Sequence, residues 1–223
     1  MALVKRPSGP RSSGPRSYDN SRRADRVRTV RRRVVDAAGS LFLERGYPAA
    51  TMEAIGTASD TPMASLYRLF ATKADILRAV LETAYVGDDL PSALHERPDA
   101  MRAAAESDPR KLLAGYAHLA RTVLERSASL QHMLRTAASV EPSAAELLAI
   151  NRRQRADGQS RVVAALRRLD ALTPSLTDAV ALDIVYGLMS PELHWVLTRD
   201  RGWSHDRYEH WLAGALGSML LAG

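Results

Sequence analysis

Residues 51–70 read TMEAIGTASDTPMASLYRLF, and this stretch decides the fold. We predict a short helix over residues 52–58, with the preceding threonine as its N-cap. Residues 59–61 then form a tight break. Because proline suits the first turn of a helix, we predict a second short helix over residues 62–70, capped by Thr61. The stretch therefore contains two short helices separated by a turn.

The flanking sequence supplies helices that pack behind this pair. Upstream, apolar residues recur at three- and four-residue steps on a helix that ends at Gly46, namely Val27, Val30, Val34, Val35, Ala38, Leu41 and Phe42. Downstream, Thr72 and Asp75 have the spacing of a capping box and open another helix, which stops at Gly87. Two short helices joined by a tight turn behind a longer helix are typical of a helix-turn-helix, whose second short helix enters the major groove of DNA.

The rest of the chain is predicted to be helical. Residues 1–23 are rich in Pro, Gly, Ser and Arg, so we expect a disordered basic arm. Residues 24–86 form the helix-turn-helix head, and residues 88–223 form a larger body. Within the body, Pro, Gly, Ser and Thr bound predicted helices at residues 99–106, 109–126, 128–139, 143–169, 177–198 and 204–221. We find no strand pattern, so the predicted fold class is all-α.

Positive charge is concentrated at one end of the chain. The formal net charge is +6, yet residues 1–35 hold 11 basic and two acidic residues, and the remainder holds 20 basic and 23 acidic residues. A basic end on a mildly acidic body indicates a polyanion partner, nucleic acid before an anionic membrane. The longest apolar stretch, residues 212–222, has about half the length of a membrane span. We expect no membrane partner, no signal peptide and a cytoplasmic location.

Specific residues of the head match a known domain. Phe42, the Glu44-Arg45-Gly46-Tyr47 turn, Thr51, Ile55, Leu66-Tyr67, Phe70, Lys73 and Leu77 occupy characteristic positions within residues 34–77. This stretch resembles the N-terminal domain of the tetracycline-repressor (TetR) family. Residues 190–212, SPELHWVLTRDRGWSHDRYEHWL, also resemble the body of many such regulators. The resemblance implies a homodimer built from the last two helices, which binds operator DNA, and a body cavity for an unknown small-molecule effector.

The candidate DNA-binding residues follow from this resemblance and from the charge count. The resemblance implies that Thr51, Tyr67, Arg68 and Lys73 contact phosphates, and that Met63, Ala64 and Ser65 face bases. The full candidate set is Arg26, Arg28, Thr51, Thr61, Met63, Ala64, Ser65, Tyr67, Arg68 and Lys73. The basic arm has two interpretations, a segment that follows phosphates or the minor groove and a merely solvated tail.

Three residues depart from the family pattern. Asp60 replaces the usual turn glycine, Pro62 replaces the usual serine at the start of the recognition helix, and Met63 replaces a basic residue. Aspartate tolerates a left-handed turn better than most residues, so we expect the fold to survive. The change at Met63 removes a phosphate or guanine contact.

The body offers candidate residues for two further sites. The resemblance implies a ligand pocket with Tyr116, His118, Leu119, Met133 and Arg135, although such residues are also common at surfaces and in cores. The candidate dimer-interface residues are Leu188, Trp195, Tyr208, Trp211 and Leu212, and their alternative role is core packing. We expect no metal site, because the spacing of His205 and His210 does not place both on one face of a helix.

The sequence leaves three classes of function open. The leading hypothesis is a sequence-specific transcriptional regulator, a repressor released from its operator by a small molecule. The alternative is a DNA-binding protein of the same fold that has no small-molecule effector and is architectural or controlled by another protein. The third class is an enzyme, which is not favoured because the chain has no cysteine, no HExxH, no GxSxG and no phosphate-binding glycine loop. For the same reason we expect no cofactor.

Overall fold

The computed structural model describes residues 16–87 and 94–222, with side chains described from residue 22 onward. The order of its helices is α1 (Arg16–Ala49), α2 (Met52–Ala58), α3 (Met63–Leu69), α4 (Lys73–Val86), α5 (Pro98–Ala105), α6 (Pro109–Ala138), α7 (Pro142–Arg168), α8 (Asp178–Leu188), α9 (Pro191–Trp195) and α10 (His205–Leu220). A 3-10 turn, Leu94–Glu96, precedes α5, and a π-helical turn, Val196–Asp200, follows α9. The all-α fold class is confirmed.

Local sequence rules hold closely in the head. Helix α2 has the predicted bounds, and the Thr51 side chain accepts a hydrogen bond from the amide of Ala54. The capping box of Thr72 and Asp75 is present at the start of α4, and Gly87 ends that helix in the left-handed region. The regular part of α1 breaks at Gly46, where φ is +76°. These features depend on neighbours within four residues, which is why the sequence predicted them.

Two expectations at helix starts differ from the structure. The N-cap of α3 is Pro62 and not Thr61, because the Thr61 hydroxyl instead donates to the carbonyl of Ser59. Helix α1 begins at Arg16, whereas we expected a disordered arm through residue 23. Directly after this segment, Arg28 Nη2 lies 2.8 Å from Asp25 Oδ1 on the same helix. The rest of the predicted arm, residues 1–15, lies outside the described residues.

Two predicted helix boundaries in the body are wrong. The break near residue 127 does not exist, and α6 is one helix of 30 residues. The hydroxyl of Ser127 donates to the carbonyl of Val123 at 2.7 Å, so this buried serine is satisfied within the helix. Conversely, the helix predicted over residues 177–198 breaks after α8. Ser190 caps a new helix whose first residue is Pro191, and proline supplies no amide to continue α8.

Two clusters of buried apolar side chains hold the molecule together. The first contains residues of α1 to α4 together with Leu130, Leu134 and Ala137 of α6 and Ala144 and Leu147 of α7. The second joins the other half of α6 to α7, α8 and α10. The head thus shares its core with the body. In the described part of the chain, every helix is too short or too polar to span a lipid bilayer.

Candidate nucleic-acid interface and effector cavity

Helix α3 presents one polar face to solvent. Leu66 is fully buried beneath the helix, whereas Ala64, Tyr67 and Arg68 are exposed. Ser65 is half-buried on the same short helix. Small side chains at 64 and 65 allow close approach to a groove, and the Tyr67 hydroxyl and the Arg68 guanidinium are able to donate to phosphate. The face has the chemistry that reading a duplex requires.

The turn before α3 is held from behind by α1. Asp60 adopts φ +47°, in the left-handed region where the usual residue is glycine. Arg33 Nη2 donates to the carbonyl of Asp60 at 3.4 Å. Thr61 is only 5% exposed. Its side chain therefore stabilises the turn and is not available to DNA, contrary to the expectation. Sequence reasoning missed Arg33 because a run of arginines does not indicate which of them contacts the turn.

Met63 packs into the crossing of α2 and α3. Its sulfur lies 3.0 Å from the point where a side chain at Gly56 would begin, so a Cβ there would require the sulfur to shift. Met63 is therefore half-buried, and only part of its side chain is available to a base. Met63 thus stands where the family pattern has a basic residue, but it packs against Gly56 of α2.

Lys73 is turned toward its own chain. Its ammonium donates to the carbonyls of Tyr47, at 2.8 Å, and Pro48, at 3.3 Å. It also lies 4.2 Å from the centroid of the Tyr47 ring, and burial lowers its pKa. These contacts attach the start of α4 to the end of α1. Lys73 is thus already engaged where a phosphate contact was expected, whereas Thr51 remains exposed at the start of α2.

One basic residue of α1 lies next to the end of α3, and others are exposed further along α1. Arg26 and Arg28 are exposed, and Arg28 is paired with Asp25. Arg31, which sequence reasoning did not single out, lies 5.0 Å from the centroid of the Phe70 ring just after α3. This contact places a cation of α1 beside the end of the recognition helix.

The predicted pocket residues do not form one site. Tyr116 and Leu119 pack in the second core cluster, and Met133 packs against the first. His118 is exposed and lies 3.1 Å from Glu209 of α10. Arg135 lines a cavity that also contains Trp195 and lies between α6 and the α9 segment. The described residues contain no group of three potential metal ligands.

The predicted interface residues separate into two groups. Tyr208 and Leu212 are fully buried inside the protomer, so core packing is the role that the structure gives them. Leu188 and Trp211 are half-buried on α8 and α10. Trp195 stacks on His132 with 4.2 Å between ring centroids, in the wall of the cavity. Val180 of α8 and Met219 of α10 remain 46% and 48% exposed.

Comparison with known proteins assigns the head to a family. Residues 34–80 match the model of bacterial regulatory proteins of the tetR family. This range covers α2, α3 and the parts of α1 and α4 that pack on them. A comparison with curated proteins finds no match.

Solved structures match over nearly the whole chain. The complex of SmeT with triclosan is 18% identical, with a TM-score of 0.68, and the match covers 87% of this chain and 92% of that one. SmeT is the repressor of a multidrug efflux pump of Stenotrophomonas maltophilia. NalD of Pseudomonas aeruginosa is 16% identical, with a TM-score of 0.65 and coverages of 87% and 98%. A regulator from Saccharomonospora viridis in complex with choline is 20% identical, with a TM-score of 0.60 and coverages of 86% and 98%. At these identities the matches show a shared fold.

Proposed function

We propose that this chain, whose residues 34–80 match the model of bacterial regulatory proteins of the tetR family, is a dimeric, sequence-specific transcriptional regulator. It acts as a repressor that leaves its operator when a small molecule binds the body. The observation that carries the proposal is the exposed face of α3, with Ala64, Tyr67 and Arg68 directed away from the buried Leu66.

Binding to a two-part operator requires two copies of this α3 face, separated by one turn of the double helix. A dimer places its recognition helices about 34 Å apart, one turn of DNA, so the operator is expected to be palindromic. The proposed interface consists of α8 and α10. Both helices carry exposed or half-buried apolar side chains, including Val180, Leu188, Trp211 and Met219.

Release by an effector requires that the body act on the head. Helix α4 follows the recognition helix and packs with it in the first core cluster. The guanidinium of Arg126 on α6 donates to the carbonyls of Ala84, at 3.1 Å, and Tyr85, at 2.9 Å, at the end of α4. A shift of α6 therefore pulls on α4. Known structures of similar fold hold triclosan and choline, which supports a ligand-binding role for this body.

The direct test is selection of bound sites from genomic DNA fragments with the purified full-length protein. We expect a palindromic motif with half-sites about one helical turn apart. A variant with Ala64→Glu serves as the control, because it places an anion on the docking face without touching the core. No enriched motif with the wild-type protein, or an enrichment that Ala64→Glu retains, would refute the proposal.

A further inference from the structure

One side of α1 forms an open groove near the start of the described chain. The groove is lined by Arg22, Asp25, Arg26, Thr29, Val30 and Arg33. These residues recur at three- and four-residue steps, which is the spacing of one face of an α-helix. Since each helical residue adds about 1.5 Å, the face from Arg22 to Arg33 is roughly 16 Å long.

Positive charge exceeds negative charge along this groove. Its three arginines, Arg22, Arg26 and Arg33, are all exposed. Its one acidic residue, Asp25, is paired with Arg28, which is not among the lining residues. The groove therefore carries a net positive charge, and its arginines are accessible to a partner from solution.

Arg33 joins this face of α1 to the helix-turn-helix. Its Nη2 atom donates to the carbonyl of Asp60 at 3.4 Å, in the turn that precedes α3. The groove thus ends at the turn from which the recognition helix starts. Arg32 is also exposed, but it points about 100° away from Arg33 around the helix axis and does not line the groove.

We propose that this face of α1 binds the phosphate backbone of operator DNA beside the half-site that α3 contacts. Three cations spread over roughly 16 Å fit a polyanion with a phosphate about every 3.4 Å along each strand, whereas a small anion would reach only one of them. Guanidinium groups also match phosphate in geometry as well as charge. The inference rests on the proposed function, because it adds a second contact surface for the same DNA.

Arg33 connects the backbone contact with the position of α3. Asp60, whose carbonyl it holds, has φ +47° in the left-handed region. A guanidinium has five N–H donors, so the bond to this carbonyl leaves donors for a phosphate. A phosphate bound at Arg33 would then fix the start of α3 relative to the duplex. Phosphate contacts position a protein on DNA but carry no sequence information, so we expect this face to change affinity and not base preference.

The experiment maps phosphates on operator DNA that the full-length protein has selected. Ethylation of a single phosphate removes its charge, and interference with binding identifies the phosphates that the protein needs. We expect interference beside each half-site that disappears in the variant Arg22→Gln/Arg26→Gln. The slope of log affinity against log salt is expected to become shallower by roughly 4, since two arginines in each of two protomers contribute about 0.9 each. The selected motif stays the same.

The matched control is Arg32→Gln/Arg102→Gln, which removes the same charge from exposed positions outside the groove. We expect it to keep the wild-type interference pattern and salt slope. Equal effects of the two variants, or an unchanged interference pattern in Arg22→Gln/Arg26→Gln, overturn the inference. A changed motif in that variant also overturns it, because the face would then contact bases.

Failure of the proposed function gives a different result. If the full-length protein selects no motif, the same variants are compared on a duplex of arbitrary sequence at low salt. A larger loss of affinity in Arg22→Gln/Arg26→Gln than in the control supports the groove as a site for the DNA backbone, although sequence-specific regulation is then refuted. Absence of binding to any duplex overturns both proposals.

Discussion

At the scale of single residues, one step along α3 separates two roles. Leu66 is fully buried, and the neighbouring Tyr67 is 51% exposed. Arg68 follows on the exposed side and places a positive charge in the last turn of the helix. The same backbone thus buries one side chain in the core and exposes the hydrogen-bond donors of the next two to solvent.

Replacement of Arg68 by Gln tests the docking face. We expect weaker binding at every operator sequence, with the selected motif unchanged, because an arginine that pairs with phosphate carries no base information. The slope of log affinity against log salt falls by about one for each phosphate that is no longer neutralised, so by about two for a dimer. Fluorescence anisotropy across a salt series measures this. Arg102→Gln, at an exposed position of α5, has the same charge change, and an equal effect of both variants would contradict the assignment.

At the scale of elements, α1 continues well beyond the core that it packs on. Its first described side chains, residues 22–29, are all exposed. They include Arg22, Arg23, Arg26 and Arg28, so this part of α1 forms an exposed basic rod. A helix fixes the spacing of its charges, which favours contact with a regular row of phosphates.

Replacement of Arg22, Arg23 and Arg26 by Gln tests this rod. We expect lower affinity with an unchanged motif, and a loss that shrinks as salt rises, because each neutralised phosphate contributes roughly −0.9 to the salt slope. Anisotropy and site selection supply the two readouts. The control variant carries Gln at the exposed Arg102, Arg110 and Arg153. A wild-type salt slope in the triple variant would show that the rod does not contact DNA.

The junction of α9 with α10 contains a buried histidine. His194 is 2% exposed, its Nε2 lies 3.4 Å from His205 Nδ1, and its ring meets Tyr208 edge-on at 4.8 Å. Burial lowers the pKa of His194 to about 4, helped by the charges of His205 and Arg199 and opposed by Glu125. The folded protein therefore holds this imidazole neutral at pH values where the unfolded chain protonates it.

This difference predicts a decrease of stability in acid. The contribution is fully present above pH 6.5 and disappears as the pH falls to about 4, on the order of 3 kcal/mol in the free energy of unfolding. Urea denaturation between pH 4.5 and 7 measures the slope. His194→Gln is expected to show a shallower dependence on pH than the wild type. His95→Gln, at an exposed position, keeps the wild-type slope, and identical slopes for all three proteins would refute the assignment.

At the scale of the whole molecule, the shared core determines how the body acts on the head. Leu130 and Leu134 of α6 pack in the same cluster as Phe42 of α1 and Leu77 of α4. A helix of 30 residues then carries this contact into the second cluster, where Leu112 and Tyr116 lie. A rigid rod that belongs to both cores transmits displacement, because close-packed interiors deform little.

The proposed dimer is tested by Met219→Glu on α10. Met219 is 48% exposed, so a carboxylate there leaves the protomer intact but cannot be buried against a partner without a large cost. Light scattering at micromolar concentration is expected to give a dimer for the wild type and a monomer for the variant. Val140→Glu replaces an apolar residue that is 70% exposed at the end of α6, and it is expected to remain dimeric. A dimeric Met219→Glu protein would place the interface elsewhere.

The sequence by itself determined the helix-turn-helix. The Thr51 cap, the box of Thr72 and Asp75, and the stops at Gly46 and Gly87 depend on hydrogen bonds and backbone angles within a few residues. Apolar spacing then fixed which side of each helix is buried, as Leu66 illustrates. These are local properties, so they can be predicted from residues that are adjacent in the sequence.

Only the tertiary structure decided what each buried or polar side chain meets. Lys73 donates to the carbonyl of Tyr47, Tyr208 packs in the core of its own protomer, and Arg135 forms an ion pair with Glu192. Periodicity predicts that a face is covered but not which helix covers it, and a charge count does not reveal which cation has a partner. Those outcomes depend on contacts between residues far apart in the chain, whose geometry exists only after the helices have packed.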